Sequence, residues 1–104
     1  MGDRRMAELK TSEGSLYFYT HWQGYALPGM AQHALNEAKG RRSDESYALR
    51  RVVDSLIKSS GSRDNDLNSG LMLQPNAEDE YNQNQPSVII DLQTWECSTV
   101  GDNQ

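Results

Sequence analysis

Apolar residues recur along this chain at two different periods, and the change of period marks out its elements. From Leu16 to Trp22 the run is aromatic and β-prone. Alternation places Leu16, Phe18, Thr20 and Trp22 on one face of a strand and Tyr17, Tyr19 and His21 on the other. Met6 to Thr11 alternates more weakly. Ser12-Glu13-Gly14 between the two runs is a turn signal, so a hairpin is expected. From Leu27 the period becomes helical. Leu27, Met30, Ala31, Ala34, Leu35 and Ala38 fall on one face of a helix over 27–39. Pro28 suits its first turn, and Gly40 the position just past its end. A second helix opens at Ser43-Asp44-Glu45, with a capping residue and first-turn carboxylates. It carries the stripe Leu49, Val52, Val53, Leu56 and Ile57 and stops at Gly61. Further strands are expected at Leu71–Leu73, Val88–Leu92 and Trp95–Val100.

The resulting order, β-β-α-α-β-β-β, predicts an α+β fold. Its sheet should be antiparallel, with about four to five strands and both helices packed on one face. The 104 residues make a single domain, 1–104. Residues 1–5 and 101–104 are expected to fray, and the polar stretches 59–69 and 75–86 to form exposed loops.

Charge narrows the function classes. With 15 acidic and 10 basic residues the chain carries −5, which argues against nucleic-acid binding through a basic face. One cysteine, Cys97, excludes an intrachain disulfide and reads as a small packing residue. No signal peptide or apolar run long enough to span a bilayer is present, so no membrane partner and a cytoplasmic location are expected. Asp64-x-Asp66-x-Asn68-x-Gly70 fails as a calcium loop, because the glycine comes one position late and Pro75 stands where the bidentate Glu belongs. One Cys and two His give no zinc spacing, so neither a metal nor a cofactor is expected.

The chemistry gathers where the second strand gives way to the first helix, a place where side chains and free amides share an open edge. His21 titrates near neutrality, so it suits a phosphate contact or a proton transfer; equally, it can hold a loop carbonyl. Trp22, Tyr19 and Tyr25 offer rings for stacking, although the alignment of Trp22 with Phe18 also suits the core. Gly24 supplies an unusual backbone conformation or close approach of a ligand. Gly29 and Met30 present amides at the positive end of the first helix. Arg41-Arg42 and Arg50-Arg51 suit phosphates or carboxylates, with pairing to Glu37, Asp44, Glu45 and Asp54 as the plainer role. No nucleophile–base–orienter set is visible around His21.

The pattern Tyr19-Thr20-His21-Trp22-x-Gly24 with Leu27-Pro28, then Asp44-x-x-Tyr47-x-x-Arg50, Ser69-Gly70 and Ile89-Ile90-Asp91, resembles a group of small proteins of phage and actinobacterial type without a settled activity. The resemblance covers about Tyr17 to Asp91, and departs where Leu71-Met72-Leu73 follows Gly70. It implies a phage-type context and a hot spot at His21-Trp22-Gly24, and it singles out Arg50.

Together these features lead to an expectation of a non-enzymatic, homo-oligomeric protein that evades host immunity by sequestering a nucleotide-derived signalling molecule. His21 with the Gly29 and Met30 amides would hold phosphate. Trp22, Tyr19 or Tyr25 would stack the base, and Arg50 would neutralise charge. One alternative is an acidic inhibitor that mimics nucleic acid through Glu78-Asp79-Glu80 and Asp64/Asp66 and blocks a defence nuclease. The other is a small His21-dependent nucleotide hydrolase or lyase.

Overall fold

A computed structural model describes residues 5–20, 26–59, 69–73 and 86–99. Strands β1 (Arg5–Thr11) and β2 (Gly14–Thr20) form the expected hairpin. Its turn is held by Thr11, whose Oγ1 donates to the Gly14 carbonyl at 2.7 Å and accepts from the Glu13 N–H at 3.1 Å. Gly14 has φ +134°, a region open to a residue without Cβ. Helices α1 (Leu27–Glu37) and α2 (Glu45–Ser59) follow, joined through a 3-10 turn at Lys39–Arg41. Strands β3 (Ser69–Met72), β4 (Val88–Asp91) and β5 (Glu96–Thr99) complete the sheet.

The class is α+β as expected, but the sheet is mixed. Its order is β3-β2-β1-β4-β5, and β4 runs parallel to β1. Alternation of apolar residues encodes which face is buried, not strand direction, so an antiparallel sheet could not be distinguished from this one by pattern. Within β4 the alternation holds, with Val88 and Ile90 buried and Ile89 and Asp91 half-buried on the other face. The parallel pair is extended at both ends, where the Ser87 N–H donates to the Met6 carbonyl at 2.9 Å and the Leu92 N–H to the Lys10 carbonyl at 3.0 Å.

Register explains the core. Phe18, Ala7 and Val88 form one row across the sheet, and Leu16, Leu9, Ile90 and Cys97 the next. These residues share one cluster with Leu27, Ala31, Ala34 and Leu35 of α1 and with Val52 and Leu56 of α2. Alanines at 31, 34 and 38 are fully buried, and their small side chains allow α1 a close approach. Of the α2 stripe, Val52 and Leu56 are fully buried, whereas Leu49, Val53 and Ile57 pack at its border.

Helix boundaries depart slightly from the pattern. α1 stops at Glu37, and Gly40 falls inside the 3-10 turn instead of capping the helix with a left-handed residue. Ala38 closes the helix by main-chain bonds to the Ala34 and Leu35 carbonyls. Among the described residues no helix is long and apolar enough to cross a membrane.

Candidate functional site

The junction singled out in the sequence is bounded by Tyr19 and Thr20 at the end of β2 and by Ala26 at the start of α1. His21, Trp22, Gly24 and Tyr25 lie outside the described residues. Four of the eight candidate ligand residues can therefore be placed: Tyr19, Gly29, Met30 and Arg50.

Tyr19 pairs with Met6 on one side and Gly70 on the other, and lies on the sheet face opposite the core cluster. Thr20, the next residue, falls on the core-facing side. It is 0% exposed, and its Oγ1 is buried without a hydrogen-bond partner. Such an orphan is uncommon, because a buried unpaired hydroxyl costs about 1–3 kcal/mol.

The first turn of α1 is bare. Among the described residues no side chain caps it, it holds no acidic residue, and Pro28 contributes no N–H. Gly29 is exposed, with nothing within 4 Å of where a Cβ would stand. Helix geometry gives the Met30 N–H an acceptor in the Ala26 carbonyl, so Gly29 is the last amide of that turn without one inside the helix. The Met30 side chain belongs to the core at 7% exposure. Met30 is thus better placed to pack than to bind.

Arg50 is not at this junction. Its neighbour Arg51 donates to the Glu37 carbonyl at 3.5 Å, which sets this part of α2 beside the C-terminal end of α1. Gly29 is eight positions earlier, roughly 12 Å along the helix axis at 1.5 Å per residue. The structure therefore places Thr20 and Gly29 on the two elements that flank the β2–α1 junction, turns Tyr19 to the other face, and moves Arg50 to the far end of α1.

The expected pairing of the arginines with nearby carboxylates does not form either. Among the described residues no carboxylate lies within ion-pair distance of Arg41, Arg42, Arg50 or Arg51. Each expected partner is turned elsewhere. Glu45 accepts from Ser12, Asp44 from the Ser46 hydroxyl at 3.4 Å, Asp54 lies 4.0 Å from Lys58, and Glu37 lies 3.9 Å from His33. Arg41 instead stacks over Tyr47, at 5.1 Å from the ring centroid, and Arg42 over Trp95, at 5.7 Å.

A third polar group lies on the sheet face opposite the core cluster. The Ser15 hydroxyl donates to Glu8 Oε2 at 2.6 Å, and Tyr17 lies beside both. Burial, then the Glu8 carboxylate, pushes the Tyr17 hydroxyl above its ordinary pKa. Burial likewise raises the Cys97 thiol, which sits against the core and is thereby kept from the thiolate form. Among the described residues no three His, Cys, Asp or Glu side chains are grouped to hold a metal ion.

Sequence reading gave no ligand role to Thr20, Tyr47 or Trp95. Thr20 lies inside the singled-out motif, but the orphaning of its hydroxyl is a tertiary fact. Arg42 and Trp95 meet across 53 positions with no periodic signal between them. No family model, no curated protein and no solved structure matches this chain, so the resemblance to small phage-type proteins stands on its motif residues alone.

Proposed function

We propose that this chain is a small binding protein that holds a phosphorylated, nucleotide-like molecule at the β2–α1 junction without turning it over. One observation carries the reading: the Thr20 hydroxyl is fully buried and unpartnered at the end of β2, in the strand that leads into the uncapped first turn of α1. A folded chain tolerates the cost of such a group more readily where a ligand atom completes the hydrogen bond. An uncapped helix start without carboxylates favours an anion as that ligand.

In the phage-type context that the motif resemblance implies, binding of this kind removes a host signalling nucleotide, a task that needs affinity and no catalytic turnover. The location proposed is the cytoplasm of the host cell. A homo-oligomer is proposed as the working form; exposed Leu71 and Leu73 at the β3 edge support self-association.

Native mass spectrometry of the purified protein, combined with Thr20→Val, tests the proposal. The wild-type chain should retain an added mass in the nucleotide range. Thr20→Val should lose that mass while melting at a higher temperature, since it removes an unpaired buried hydroxyl at constant shape. A variant that melts higher and still keeps the ligand would show that Thr20 is only a packing defect.

A further inference from the structure

Half of the chain's 10 basic residues, Lys39, Arg41, Arg42, Arg50 and Arg51, fall between positions 39 and 51. Against Asp44 and Glu45 this gives a local charge of +3 in a chain of −5. The segment is the α1–α2 connection and the start of α2, at the opposite end of α1 from the junction discussed above. Two turns of the sheet meet it there. The β1–β2 turn arrives through Ser12 on Glu45, and the β4–β5 turn through Trp95 under Arg42.

Three features make this corner more than a solvated run of charge. Among the described residues the nearby carboxylates contact other side chains and none forms an ion pair with these arginines, so the segment keeps its net positive charge without direct pairing. Arg41 and Arg42 are exposed, and each guanidinium lies within cation–π range of a ring, Arg41 of Tyr47 and Arg42 of Trp95, which restricts where these long side chains sit. Trp95 is also held at φ +63°, the one non-glycine residue with positive φ among the described residues, so the backbone of the β4–β5 turn bears strain in placing this ring.

Of the two rings, Trp95 is half-buried and Tyr47 is exposed. Arg42 covers Trp95, which also packs against the core, and Arg41 lies over Tyr47. Neighbouring guanidinium forks in one basic segment suit linked phosphates. We propose that the corner of Arg41, Arg42, Tyr47 and Trp95, with Arg51 beside it, is a binding site for an oligophosphate chain. Inorganic oligophosphate and the tail of a nucleoside triphosphate share that chemistry. The site is independent of the one at Thr20.

Isothermal titration calorimetry with inorganic tripolyphosphate at about 0.1 M salt tests this. The wild-type chain should bind, and the double variant Arg41→Ala/Arg42→Ala should bind about tenfold more weakly or worse. Lys58→Ala, which removes one cation from the same helix, should stay within about twofold. Thr20→Val should leave tripolyphosphate affinity unchanged, which separates this site from the junction. Circular dichroism should show the double variant folded, as both arginines are exposed. Competition by ATP would identify a nucleotide tail as a source, and its failure would restrict the site to the inorganic chain. Absence of binding by the wild-type protein, or equal weakening by Lys58→Ala and the arginine pair, would overturn the proposal.

Discussion

Ser12 grips the carboxylate of Glu45 with two hydrogen bonds, from its N–H at 2.8 Å and from its hydroxyl at 2.6 Å. The contact ties the β1–β2 turn to the first turn of α2 across 33 positions, and it withdraws Glu45 from the arginines around it. Glu45 also lies where a negative charge is favoured by the helix. Ser12→Ala and Glu45→Ala should each lower stability, and a double-mutant cycle by urea denaturation should return a coupling of about 1 kcal/mol. Strict additivity would mean the pair does not hold in solution.

Burial separates two neighbouring valines of α2. Val52 is 0% exposed, whereas Val53 lies at the border of the core. Val52→Asp places an unpaired charge among apolar groups and should cost at least about 3 kcal/mol, enough to unfold much of the population. Val53→Asp can reach water and should cost clearly less. Melting curves of the two variants check the order.

Trp95 sets strain against packing. Trp95→Gly relieves a positive φ worth about 1–3 kcal/mol but removes an indole whose full burial would be worth about 3–5 kcal/mol. Trp95 is only partly buried, so the packing loss lies at or below the lower bound. The substitution should therefore change the melting temperature by little, while Trp95→Ala, which keeps most of the strain, should lower it clearly.

Alkaline pH should act through Tyr17. Its folded pKa lies above the unfolded value, so the unfolded chain gives up this proton first. The contribution is intact below the ordinary tyrosine pKa of about 10 and is lost as pH rises through the higher folded value. Tyr17→Phe should flatten the fall of melting temperature above about pH 10, and have no such effect at neutral pH.

Much of this fold was legible from spacing alone. Leu27 to Ala38 and Leu49 to Ile57 each display a helical stripe, and Thr11 to Gly14 carries its turn chemistry in four residues. Strand direction was not legible, because Val88 and Ile90 would face the core equally well beside an antiparallel partner. The end of α1 was misread because Gly40 can join a 3-10 turn without a positive φ, and only main-chain geometry distinguishes that from a cap. At the candidate site the motif drew attention to the strand–helix junction, but Thr20 is notable only because nothing bonds to it. The stacking of Arg42 on Trp95 joins segments that no local pattern connects.

The parallel pairing of β1 with β4 also governs the order in which the molecule can be finished. Met6 meets Ser87 across 81 positions, so the first hairpin leaves the ribosome long before its inner neighbour exists. Until then the rim of β1 that will receive Val88–Asp91 stands open, with Ala7 and Leu9 still short of their final neighbours. Completion of the sheet waits on a strand made some eighty residues later, and the nascent chain passes through an interval in which that rim is available to any extended segment that reaches it.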